Sequence, residues 1–263
     1  MWEKILFFRS VVVWLFIVCV VFGFDTTKLN QSLNTKPSPV KLQNISNFFL
    51  NSPYIFSPLG EGKGIDTDTR FRIDKFDCTT FVETMLALTM SINIAQAKQN
   101  LDIIRYSGKV DFKYRRHLPA LMWKPQLISF GLLEDITKNI KDFTTIIKKP
   151  NKKQLTNDMK FLSNFLETYS IDYIPLDKIE QNIPNIPNGS IVNVVRTNNN
   201  KKLMTITHQM LLFKKEGKIF FRHASSNPYK KVVDEDLKSF IKRVSKFKWK
   251  VVGINILKIN YDK

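Results

Sequence analysis

Apolar residues fall into three regimes along this chain. They are nearly continuous from Val11 to Val21, recur at helical spacing between about residues 76 and 105, and from Ser190 onward come in short dense runs closed by turn residues. The first run, preceded by Lys4 and Arg9 and followed by Val21-Phe22-Gly23, predicts a signal peptide over 1–23 with cleavage near Gly23. A run of this length also fits an uncleaved membrane anchor. Residues 24–45 are polar and carry Pro37 and Pro39, which predicts an extended leader into the domain. In the second regime Phe81, Val82, Met85, Leu86 and Leu88 predict a helix beginning near Asp77, with a second helix over 95–105. Leu155, Met159, Leu162, Leu166 and Tyr169 predict a further amphipathic helix.

The third regime predicts strands over 191–196, 205–213, 219–223 and 250–259. Leu237, Phe240, Ile241 and Val244 mark a helix before the last of these, with Asp234 as its cap. Helices first and antiparallel strands later give an α+β fold with one domain over 46–263. Without residues 1–23 the chain keeps 240 residues, enough for a full hydrophobic core.

The formal net charge is +18, from 41 basic and 23 acidic residues. Its short lysine clusters, such as Lys148-Lys149, Lys152-Lys153 and Lys230-Lys231, read either as a solvated surface or as an attraction to anionic cell wall or phospholipid headgroups. Nucleic acid is not the expected partner. With Cys19 inside the first apolar run, three histidines and one cysteine do not supply a structural zinc site of the common four-ligand kind, and there is no Gly-rich phosphate loop or dinucleotide fingerprint, so neither metal nor cofactor is expected.

Cys19 lies inside the signal run and is expected to leave with it. That leaves Cys78 as the lone thiol of a chain expected in the periplasm or outside the cell, where an unpaired cysteine suggests a reactive group. In the first turn of its helix, free backbone N–H groups and the helix dipole lower a thiol's pKa and hold an oxyanion. The alternative is a cysteine that fills space in the core.

Two histidines accompany it on the predicted hairpin. A two-residue loop at Glu216-Gly217 sets Lys215 opposite Lys218, and the same register carried down the strands sets His223 opposite Met210 and His208 opposite Ser225. Both imidazoles then share one face as diagonal neighbours about 7 Å apart at Cβ. An odd-length loop separates them. On this register His208 takes the thiol proton, His223 orients His208, and attack on a carbonyl gives a thioester that water hydrolyses. Arg115, Arg116, His117 and Trp123 either line the cleft, where an arginine pairs with a substrate carboxylate, or form surface ion pairs around a buried tryptophan. Ser225 either bounds the pocket or belongs to a turn.

The order of helix-start cysteine, strand histidine and next-strand histidine resembles the NlpC-type papain-like cell-wall hydrolases. The closer resemblance is to the secreted N-acetylmuramoyl-L-alanine amidase-like family of that fold. The matching stretches are Pro58-Leu59-Gly60-Glu61-Gly62, Phe76-Asp77-Cys78-Thr79-Thr80-Phe81-Val82-Glu83, Ile104-Arg105-Tyr106 with Gly108 and Arg115-Arg116-His117, Gly131 with Asp135-Ile136-Thr137, and His208 with His223-Ala224-Ser225-Ser226. The resemblance implies a papain-like fold with the nucleophile helix packed on an antiparallel sheet. It also implies Cys78 as nucleophile, His208 as base, His223 as the third polar residue, and peptidoglycan or muropeptides as substrate. The chain departs from the family pattern at Gly189-Ser190-Ile191, where an acidic residue is expected, and in the apolar segment His117 to Trp123. Those departures bear on which bond is cleaved.

Overall fold

The computed structural model describes residues 26–197 and 202–262; the signal peptide read over 1–23 and its cleavage site lie outside them. Where an extended leader is expected, the chain forms two helices, α1 (Thr26–Leu33) and α2 (Pro39–Asn47). Ser38 accepts from the Lys41 N–H and Pro39 occupies the first turn, so a residue read as a breaker in fact begins a helix. Leu29, Leu33, Leu42 and Ile45 are buried in the main core. The buried Lys41 ammonium donates to the carbonyls of Leu33, Thr35 and Ser91 at 2.7, 2.7 and 2.8 Å, which ties this segment to the rest.

The predicted central helices form as α3 (Cys78–Thr89) and α4 (Ile94–Arg105). A π-helical turn over Pro119–Trp123 runs into α5 (Lys124–Ser129). Then follow β1 (Leu133–Asp135), β2 (Thr144–Lys148), β3 (Tyr169–Pro175), α6 (Ile179–Asn182), β4 (Ile191–Arg196), β5 (Ile206–Lys215), β6 (Lys218–Ser225), β7 (Lys231–Asp236), α7 (Leu237–Val244) and β8 (Val251–Ile259). The amphipathic helix predicted over 155–169 does not form. Its middle is 3-10 helical over Asn157–Asn164, and Tyr169 opens β3. Helix α7 is capped by Asp236, not Asp234, which pairs with Arg222.

The strands make one antiparallel sheet in the order β2-β3-β8-β4-β5-β6-β7, with β1 also paired to β8. One face takes α3: Ile191, Leu211, Phe213, Ala224 and Leu257 pack with Phe81, Val82 and Met85. The other takes α7, through Val192, Val194, Met210, Leu212 and Phe221 against Phe240 and Val244. Each fully buried Leu or Phe contributes about 1.5–3 kcal/mol.

A row of amides crosses the α3-facing side. Asn193 lies opposite both Gln209 and Asn255 in the two ladders. Gln209 Nε2 donates to Asn193 Oδ1 at 3.0 Å, Asn193 Nδ2 to Asn255 Oδ1 at 3.0 Å, and Asn255 Nδ2 to Asp135 Oδ2 at 3.0 Å. A carboxylate only accepts, so Asp135 fixes the orientation of each amide in turn.

Candidate active site

Asp77 explains why a helix starts at Cys78. Its Oδ1 accepts from Thr80 N–H at 2.7 Å, Thr80 Oγ1 accepts from Asp77 N–H at 2.9 Å, and its Oδ2 accepts from Ser57 N–H at 3.0 Å. Cys78 is a free, partly exposed thiol in the first turn, and the Gln209 backbone N–H is directed at it. Burial, followed by the Asp77 carboxylate, pushes this thiol up to about 12, more than the N–H groups of Gln209 and Thr79 lower it. The expectation that the helix start lowers the thiol's pKa is therefore reversed. Desolvation outweighs the dipole.

The hairpin turns as predicted, with Glu216 and Gly217 both at positive φ (51° and 73°), the left-handed pair that a two-residue loop requires. Strands β5 and β6 pair only from Lys215↔Lys218 to Leu211↔Arg222. Beyond that point β5 stays with β4 and β6 stays with β7, and the hairpin splits. Neither Met210 with His223 nor His208 with Ser225 is a ladder pair. The face parity nevertheless brings the imidazoles together, with His208 Nε2 2.8 Å from His223 Nδ1 and the rings perpendicular.

Behind His223 stands Glu235, which sequence reasoning missed. His223 Nε2 lies 3.3 Å from Glu235 Oε2, a long contact, and the carboxylate takes two bonds from Arg243 at 2.7 and 2.6 Å. Burial alone would raise Glu235, but Arg243 and His223 hold it near 2, so it is ionised. An ionised acceptor at Nε2 places the His223 proton there, leaving Nδ1 to accept from His208 Nε2–H. His208 Nδ1 then keeps its lone pair. Burial, then the charges of His223, Arg243 and Arg196, holds His208 well below the ordinary histidine range. With the thiol raised and the imidazole lowered, the resting pair is neutral.

Cys78 and His208 line the same cleft, of about 670 Å³, with Gln209, Tyr54 and Trp249. Arg115, Arg116 and His117 also line it, though each is already engaged. Arg115 pairs with Glu61 and Asp66 at 2.6 and 2.8 Å, and Arg116 donates to the carbonyls of Ile103 and Ile104 near the end of α4 at 2.6 and 2.7 Å. His117 Nε2–H donates to Phe112 O at 2.6 Å, and burial lowers its pKa to about 4. Trp123 is 1% exposed in the main core and does not line the cleft, which corrects the sequence expectation. Ser225 also lies outside it: it bounds a separate cavity behind His208 and donates to Asn227 O at 3.2 Å. The stretch over 58–62 contributes Glu61, which accepts from Tyr106 as well as from Arg115.

Comparison with known proteins supplies the family. A protein from Legionella pneumophila, assigned to DUF1460, matches at 27% identity and a TM-score of 0.77, over 88% of this chain and 92% of that one. An N-acetylmuramoyl-L-alanine amidase from Bacteroides uniformis matches at 25% identity and a TM-score of 0.67, over 81% of this chain and 95% of that one. Among curated proteins none matches. The profile described as AmiA-like, N-acetylmuramoyl-L-alanine amidase-like, matches residues 44–247, and the chain belongs to that family.

Proposed function

We propose that this protein is a cysteine hydrolase of the papain-like, NlpC-type kind that cleaves an amide bond of peptidoglycan, either between the lactyl group and L-alanine or within the stem peptide. The carrying observation is that Cys78 and His208 share one cleft while His223 holds the far nitrogen of His208 at 2.8 Å. The Cys78 thiol gives its proton to His208 Nδ1 as sulfur attacks the amide carbonyl, so the neutral resting pair becomes charged only with substrate in place. The oxyanion forms beside the backbone N–H groups at the start of α3. His208 then protonates the leaving nitrogen as the C–N bond breaks, and water, deprotonated by the same imidazole, hydrolyses the thioester.

Residues 1–23 serve in this reading as a signal peptide or an anchor that places the enzyme in the periplasm or outside the cell. The net charge of +18 favours contact with an anionic wall or membrane surface. Mass spectrometry of muropeptides incubated with the protein identifies the bond from the product masses. Cys78→Ser should abolish product while leaving the fold intact. Near wild-type turnover by Cys78→Ser ends the cysteine mechanism, and interception of the thioester by an added amine would mark acyl transfer instead.

A further inference from the structure

A second cavity, of about 110 Å³, lies behind His208, and Thr207 and His208 line both it and the main cleft. Arg196 and Arg243 lie in its wall, and no carboxylate does. The two guanidinium groups share one aromatic ring: their central carbons lie 4.9 and 5.5 Å from the centre of Phe247. Glu235 neutralises Arg243. Arg196 donates to Thr207 Oγ1 and the Trp249 carbonyl, both uncharged, and has no acidic partner among the described residues. One positive charge is therefore left over beside a histidine that must itself become positive.

Reaction direction says what belongs there. His208 delivers its proton to the leaving nitrogen, so the amine-side fragment lies on the His208 side of the scissile bond. In a peptide the amine-side fragment runs toward the carboxyl end, so it carries the substrate's free carboxylate. The cavity holds a few water volumes of about 30 Å³ each, room for a carboxylate and its neighbouring carbon.

We propose that the cavity between Arg196 and Arg243 is a subsite for a carboxylate of the leaving fragment. This rests on the amide-hydrolase reading above. A carboxylate seated there neutralises the excess charge and stabilises the imidazolium of His208, so the right substrate helps to form the thiolate that attacks it.

The test gives the wild-type protein two muropeptides that differ only in whether the carboxyl groups of the leaving fragment are free or carboxamides. The free form should be preferred by about 10- to 100-fold in kcat/KM, as expected for a charge-assisted contact. Arg196→Gln should reduce that preference to threefold or less, and Arg196→Lys should restore part of it. Equal use of both substrates by wild type overturns the proposal without any variant. So does a preference that survives Arg196→Gln. Calorimetric binding of the leaving-fragment peptide and its carboxamide to Cys78→Ala is independent of turnover. If wild type cleaves neither substrate, the hydrolase reading fails by itself, while equal binding of acid and amide to Cys78→Ala overturns the subsite.

Discussion

Two buried charge clusters flank the cleft, built from the same residue types to different ends. On the α3 side Glu83 meets Arg105, whose guanidinium also reaches the Leu59 carbonyl, and Glu61 meets Arg115 and Tyr106. Each charge there ends on another fixed protein group. On the α7 side Arg243 holds Glu235, Glu235 faces His223, and His223 holds His208, whose second nitrogen belongs to the cleft. The first cluster is closed and braces the walls, whereas the second ends in the proposed base. In the proposed mechanism, what separates bracing from chemistry is a loose end at a cavity.

That contrast is broken most directly at the loose end. His208→Ala should lower kcat/KM by about 10³-fold, close to the loss from Cys78→Ser, with His223→Gln milder because it acts through His208. Equal turnover by wild type and His208→Ala would return the α7 cluster to a bracing role. The resting state can be read separately. With the thiol near 12, the thiolate fraction grows with pH, so iodoacetamide alkylation of Cys78 should rise about 100-fold from pH 7 to 9. A flat, fast rate from pH 5 to 8 would instead signal a pre-formed ion pair.

Matched substitutions sharpen the comparison. Glu235→Gln should cut kcat by tens of fold, because it removes the charge that fixes the His223 proton and leaves Arg243 unpaired. Glu83→Gln should appear chiefly as lost stability, ~3–5 kcal/mol for a broken buried pair, measured by denaturant unfolding. Comparable kcat losses in both would erase the distinction. The smallest effect is expected at the surface. Raising salt to about 0.15 M shortens the Debye length to about 8 Å, which should weaken binding to intact sacculi severalfold and change turnover of a soluble muropeptide little.

Much of this arrangement was legible in the chain because burial leaves a pattern. Strands β4, β5, β6 and β8 are nearly continuous apolar runs, and the face parity of His208 and His223 followed from a two-residue loop. Strands β1, β2, β3 and β7 were not legible: β2 and β7 are the sheet's edges, half solvated, Lys231–Asp236 reads as a charged run, β1 is three residues long, and β3 opens at Tyr169, which the apolar spacing assigns to a helix. Glu235 was hidden inside Asp234-Glu235-Asp236, where only the alternation of a strand distinguishes the buried middle residue from its neighbours. The helix expected over 155–169 had the right apolar spacing. Thr156, Asn157, Asp158, Ser163 and Asn164 favour turns over helix interiors, and of the apolar set only Leu162 is fully buried, so packing did not compensate. That Arg196 meets Thr207 and the Trp249 carbonyl, and no carboxylate among the described residues, depends on tertiary neighbours that no local pattern encodes.

The amide row on the α3 side bears on how the sheet assembles. Asn193, Gln209 and Asn255 come from three strands, the last of them distant in sequence from the other two, and meet only when all three align. A shift of one residue in any of them swings its amide to the side occupied by Val192, Val194 and Met210, where it finds no partner. Each stranded amide costs about 1–3 kcal/mol. The row thus serves as an alignment mark during folding, rejecting misregistered sheets that the surrounding valines, isoleucines and leucines alone would tolerate.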